Sequence, residues 1–278
     1  MIESLFSIGD FEISPFGPAL VAAFFAAFWQ FSRGLRQLGV GDEEDASEVL
    51  FAAGIFGILG AKVYYATLMV FREETLSVFL PNLLSRSGLV WYGGMIAGTL
   101  AALLVIWRRK MPRWRTLDAA AAGLALGYGV GRLGCFLVGD DYGKPTDLPW
   151  GVVFKHGLPP TNATFLRSTW DVDLPAGLAP NAWVAVHPTQ LYETGLALII
   201  WGIGLWLLSR SNTPGVPGLI VFALLAIERF SIEFLRLKDD RFFVGDTLTM
   251  AQMISLTLLV LLIGLLLSRR RGRPAEAM

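Results

Sequence analysis

Seven stretches of roughly 20 mainly apolar residues, parted by polar turns, make the bilayer the natural solvent for this 278-residue chain. They run over residues 16–32, 49–70, 88–107, 117–138, 189–208, 216–235 and 250–268. Each is about long enough to cross a hydrocarbon core of about 30 Å as a helix, which satisfies its own backbone hydrogen bonds in oil. The expected fold class is therefore all-α, a polytopic integral membrane protein with about seven transmembrane helices. A hydrophobic fraction of 54% and a mean hydropathy of +0.55 exceed what a water-exposed surface usually tolerates.

One connection is far longer than the rest. Residues 139–188, rich in proline and tryptophan, are read as an outward-facing, extracytoplasmic cap between the fourth and fifth spans. Trp150, Trp170 and Trp183 would suit the level of the lipid headgroups. The whole chain, 1–278, reads as a single transmembrane domain with residues 269–278 as a basic cytoplasmic tail. It has no repeat of solenoid length and does not divide into two matching halves.

Orientation follows from Lys and Arg, because basic loops resist translocation. One side carries Arg33 and Arg36, then Arg108, Arg109, Lys110, Arg113 and Arg115, then Arg210, and last Arg269, Arg270, Arg271 and Arg273. The other carries Arg72, Arg86, Lys144, Lys155, Arg167, Lys238 and Arg241, spread over longer loops. The N-terminus is therefore expected outside and the C-terminus in the cytoplasm. The opening segment, MIESLFSIGDFEISP, lacks Lys and Arg, so no cleavable signal peptide is expected.

Composition also excludes classes of function. A formal net charge of zero gives no electrostatic case for nucleic acid. The single cysteine, Cys135, rules out an intrachain disulfide, and His156 and His187 lack metal-ligand spacing. No metal and no cofactor are expected.

Four basic residues fall inside or at the ends of the spans: Lys62, Arg132, Arg229 and Arg236. A charge at the bilayer centre costs at least ~2.5 kcal/mol even on the lenient insertion scale, so each needs protein, water or an anionic ligand beside it. In ERFSIEFLR, Arg229, Glu233 and Arg236 stand four and three residues apart, one face of a helix, and two arginines around one glutamate leave a positive charge able to receive phosphate. Residues 127–143, GYGVGRLGCFLVGDDYG, contain a formal GxGxxG, but inside an apolar helix with no preceding strand. Its glycines are read as sites of close approach by a helix or ligand, with Arg132 projecting into the gap. Asp140 lies at the outer boundary, and Asp141 is read as a solvated loop acid. HPTQLYE, residues 187–193, opens the fifth span: Pro188 suits a first turn, Glu193 favours the helix N-terminus, and His187 is read as a base, a phosphate donor or a cap.

Taken in order, GRLGCFLVGDDYG, PWGVVF, HPTQLYE and ERFSIEFLR resemble the bacterial prolipoprotein diacylglyceryl transferases. The resemblance extends to GILGAKVYY, WYGGMIAG and MAQMISL, nearly the whole chain. It implies transfer of a diacylglyceryl group from phosphatidylglycerol to the lipobox cysteine thiol of a preprolipoprotein, with glycerol phosphate released and membrane lipid as the medium. Arg132 aligns with the essential arginine of that family's glycine-rich motif, Arg229, Glu233 and Arg236 with its late RFxxEFxR pattern, and Gly143 with the glycine closing the central motif. Four positions depart: Tyr92 stands where histidine is usual, Cys135 for asparagine, Asp140 for glutamate and Phe16 for tyrosine. Residue reading and resemblance together give a candidate site: Arg132, Arg229, Asp140, His187 and Tyr92 for catalysis, with Arg132, Gly143, Arg229, Glu233, Arg236, Tyr192, Gln190 and Lys62 for substrate. A homologue that only binds phospholipid or lipoprotein precursor, and a transporter, stay open as alternatives.

Overall fold

A computed structural model of the chain describes residues 6–8, 11–85, 88, 90–237 and 247–271. A short antiparallel hairpin, β1 (Phe6–Ile8) and β2 (Phe11–Ile13), comes first. Then follow α1 (Phe16–Leu38), α2 (Glu43–Glu73), a 3-10 turn (Leu76–Val78), α3 (Phe79–Leu84), α4 (Trp91–Arg108), α5 (Arg113–Val138), α6 (Ala163–Trp170), α7 (Thr189–Arg210), α8 (Val216–Ile232) and α9 (Met250–Arg271). Each expected apolar stretch is a helix. Among the described residues, four helices, α2, α5, α7 and α9, are long and apolar enough to cross a membrane, and α4 is a shorter apolar helix.

The chain forms two compact units, residues 1–30 with 120–278, and residues 31–119. In the second, α2 lies along α4, and Gly60 and Gly93 meet backbone to backbone, leaving no room for a Cβ on either. The start of α2 is fixed by a capping box: the Asp42 carboxylate accepts from the Glu44 and Asp45 N–H groups, and the Asp45 side chain accepts from the Asp42 N–H. Lys62 of α2 donates to the carbonyl and hydroxyl oxygens of Ser85, tying down the turn after α3. Tyr92 sits in the first turn of α4.

In the first unit, α5 is the central helix. Of its most apolar window 56% is buried, against 11% for α9, so α5 faces protein and α9 presents its apolar surface outward. Two glycines of the 127–143 motif are close packing positions for α1: a Cβ on Gly134 would lie 2.6 Å from the Ala19 methyl and one on Gly127 2.9 Å from that of Ala27, whereas Gly129 faces Ala197 of α7 at 3.2 Å. On another face, Ala121 and Ala125 close a small core with Ile200 of α7 and Val221 of α8. Helix α8 packs on both α7 and α9.

The 139–188 connection is built rather than loose. Tyr142, Phe154, Leu166 and Val186 form its core, with the Tyr142 and Phe154 rings stacked at 5.4 Å. Asn162 caps the unexpected helix α6 by accepting from the Phe165 N–H at 2.7 Å. Backbone strips then stitch it to the helix ends: Gly143 pairs with Arg236, and Pro145 and Val152 with Val186.

That stitching corrects the sixth span. Helix α8 stops at Ile232 rather than 235 and Arg236 lies beyond it, because Leu235 accepts from the Lys144 N–H (2.8 Å) and Leu237 donates to Tyr142. The basic residues Arg86, Lys238 and Arg241 and the tail from 272 to 278 lie outside the described residues.

Candidate functional site

The end of α5, the start of α7 and the end of α8 bring three arginines together with three carboxylates. Arg132 is the hub. Its Nη2 donates to Glu193, and its Nη1 donates to Asp141 Oδ2 at 3.0 Å and to the Cys135 thiol at 3.5 Å. Arg236 repeats the pattern from the opposite strip, with Nη2 2.6 Å from Asp141 Oδ1, Nη1 3.3 Å from Glu193 Oε1 and Nε 3.8 Å from Glu233 Oε2. Arg229 donates to Glu233 at 2.6 Å. Tyr128 and Thr249 complete the set by donating to Glu193 (2.9 Å) and Glu233 (3.0 Å).

Two expectations change here. Asp141 is not only a solvated loop acid: its side chain stays 42% exposed while its carboxylate bridges Arg132 and Arg236. Nor is Glu193 merely a charge at a helix start, since its side chain is fully buried between the same two guanidiniums. Three arginines facing Asp141, Glu193 and Glu233 make the cluster balanced, so the surplus positive charge expected of ERFSIEFLR does not arise. The sequence did carry the signal. An acid at membrane depth needs a partner as much as a base does, and Glu193 and the buried Glu228 fall within apolar helices.

The local fold explains the convergence. Gly139 (φ +70) and Asp141 (φ +56) turn the chain sharply after α5. The Asp140 and Asp141 carbonyls then accept from Gln190 and from Thr189 Oγ1 (2.9 Å), which pins this turn to the first turn of α7. Gly143 is where three segments meet: a Cβ there would come 2.6 Å from the Leu235 carbonyl oxygen and 2.8 Å from His187 Cβ.

Several buried polar atoms of this region have no hydrogen-bond partner, among them Nε of Arg132 and of Arg236, Oδ1 of Asp140, Oε1 of Gln190 and Oε1 of Glu228. Such atoms carry a desolvation cost of about 1–3 kcal/mol each, and their concentration at one place marks a site built for something other than stability. Burial, then the neighbouring Asp141, hold the Asp140 carboxyl above the usual carboxylate range.

His187 and Tyr192 form a separate line. The Trp150 indole N–H donates to the Tyr192 hydroxyl at 2.7 Å, and that hydroxyl lies 3.3 Å from His187 Nδ1. A phenol oxygen accepting from indole can either donate to Nδ1 or accept from it as well, so this line accommodates both tautomers of the neutral imidazole. Burial lowers the His187 pKa, favouring this neutral form. Tyr92 and Lys62 belong to the other compact unit.

Residues 3–268 match the sequence model of the family described as prolipoprotein diacylglyceryl transferase. The chain belongs to that family. Among its relatives is the phosphatidylglycerol–prolipoprotein diacylglyceryl transferase of Xanthomonas oryzae pv. oryzae (strain PXO99A), 30% identical over 274 residues, covering 96% of this chain and 90% of the relative. The protein of the same name from Xanthomonas campestris pv. campestris (strain B100) is 32% identical over 273 residues, covering 95% and 90%.

Proposed function

We propose that this protein transfers the diacylglyceryl group of phosphatidylglycerol to the lipobox cysteine thiol of preprolipoproteins, as a seven-span enzyme of the bacterial inner membrane. In this reading residues 1–278 form one transmembrane domain, the 139–188 cap faces outward, the N-terminus is outside and the basic tail is cytoplasmic. The observation that carries it is the pair Arg132 and Arg236, each more than nine-tenths buried and aimed at one shared carboxylate.

The chemistry explains why arginines are placed there. The thiol sulfur attacks a glyceryl carbon and forms the thioether, while the bond from that carbon to the phosphate oxygen breaks. Glycerol phosphate leaves with the bonding electron pair. A phosphodiester monoanion thus becomes a phosphate monoester of higher negative charge. Guanidiniums held in place beforehand stabilise the transition state more than the ground state, which is what accelerates the step. Arg132 and Arg229 stabilise this charge. Arg236 shares the phosphate with Arg132, Glu233 fixes the guanidinium array, Gly143 permits the close approach of its three segments, and Gln190 and Tyr192 line the α7 side.

The thiol proton needs an acceptor, and Asp140 and His187 are the proton-handling groups of the proposal. The raised pKa of Asp140 brings it nearer to a useful base than an ordinary carboxylate. Tyr92 enters as a further acid–base group and Lys62 as a headgroup contact, with its grip on Ser85 as a structural duty besides.

The test is an assay with purified protein, phosphatidylglycerol and a lipobox peptide. Mass spectrometry should find the peptide heavier by one diacylglyceryl group, with phosphatidylethanolamine giving none. An unmodified peptide, with the protein folded and inserted, would refute the proposal.

A further inference from the structure

We propose that Asp141 is an internal stand-in for the lipid phosphate, occupying the anion position between Arg132 and Arg236 and setting the affinity for phosphatidylglycerol by competing for it. The inference rests on the reading of this cluster as the headgroup site.

The geometry separates two kinds of carboxylate. Glu193 reaches both guanidiniums from within, its side chain fully buried and further bound by Tyr128 at 2.9 Å. It is the fixed tether. Asp141 closes the same pair from the open side, with its side chain 42% exposed. Each of its oxygens takes a different arginine, Oδ2 with Arg132 at 3.0 Å and Oδ1 with Arg236 at 2.6 Å. Two non-bridging oxygens of a phosphodiester can make the same pair of contacts.

Exchange is easy in two respects. The carboxylate and the phosphodiester each carry one negative charge, so swapping them leaves the cluster's charge unchanged and no guanidinium uncompensated. The Asp141 carbonyl is held by Thr189 Oγ1 at 2.9 Å, so the exchange needs a side-chain rotation into water and no movement of the turn. A lipid that must displace a resident anion binds more weakly by the fraction of time the site is open. Discrimination follows as well. A lipid without an anionic phosphate, such as a diacylglycerol, cannot replace Asp141 without leaving positive charge buried.

The experiment compares native protein, Asp141→Asn, Asp141→Ser, Asp141→Glu and Arg132→Gln as full chains in phosphatidylcholine nanodiscs with graded phosphatidylglycerol, using lipobox peptide as acceptor. Asp141→Asn and Asp141→Ser should lower the KM for phosphatidylglycerol by roughly tenfold, as expected when a mostly closed site is opened. Asp141→Glu should restore the native KM, and inhibition by glycerol phosphate should strengthen with the first two variants in the same proportion. An unchanged or raised KM in both, with inhibition by glycerol phosphate unchanged, overturns the stand-in role. The parent reading fails separately: if Arg132→Gln leaves the KM and kcat for phosphatidylglycerol unaltered, this cluster is not the headgroup site.

Discussion

Two arginine clusters in this protein use the same residue types to opposite ends. Arg109, at the end of α4, reaches Glu44 at 2.7 Å, Asp45 at 3.1 Å and Glu48, all on the first turns of α2. Its side chain is 32% exposed and Glu44 and Glu48 are 75% and 44% exposed, so water competes for these contacts, with Asp45 at 18% the most sheltered partner. Arg132 makes pairs of similar length with carboxylates, yet its side chain is 9% exposed and Glu193 not at all. Exposed pairs contribute little to stability, whereas a buried pair must first overcome the desolvation of both ions. The surface cluster fits a clasp between helix ends. The buried one is a poor investment for folding alone, which is why it is read as machinery.

The sharpest way to break this contrast is to remove each hub. Arg132→Ala is expected to lower transferase kcat/KM by about two to three orders of magnitude, the scale of losing one preorganised donor to a developing anion. The matching Arg109→Ala should leave kcat/KM unchanged, and equal losses in the peptide-lipidation assay would erase the distinction.

Stability should divide the same way. Glu193→Ala leaves Arg132 and Arg236 with less compensation in a buried setting and is expected to cost about 3–5 kcal/mol, read as a large fall in Tm in detergent. Glu48→Ala, at the surface cluster, should shift Tm immeasurably.

A subtler difference concerns pH. Because burial raises the pKa of Asp140, its charged form penalises the fold above that raised value, and the penalty disappears at acid pH where the group is neutral in both folded and unfolded chains. Asp140→Asn should therefore match the native Tm in acid and exceed it increasingly as pH rises through the shifted range. A constant difference at all pH values would remove Asp140 from the set of perturbed groups.

The helices were legible in the sequence because length and apolar content settle them locally: all seven stretches appear as helices, and the rejection of a nucleotide motif at 129–134 stands with α5. Helix ends were less so, since α8 ends where the 142–144 strip captures residues 235–237, a pairing between segments more than 90 positions apart. The arginines announced themselves as charges in oil. Asp141 did not, for its role depends on a turn at Gly139 and on the docking of that turn against Thr189 and Gln190, and Glu193, an acid in an apolar helix, signalled a need for partners without showing which. Helix α6 and the cap's aromatic core were likewise hidden, being held by contacts among Tyr142, Phe154 and Val186 rather than by any periodic pattern.

At the centre stands the claim that Arg132 and Arg236 hold the lipid phosphate. Native mass spectrometry of protein in phosphatidylcholine nanodiscs doped with phosphatidylglycerol measures this directly. Native protein is expected to retain phosphatidylglycerol, Arg132→Gln to bind it at least about tenfold more weakly, the loss of one charge-assisted contact, and Arg109→Gln to match the native affinity. Equal retention by Arg132→Gln and native protein would contradict the account.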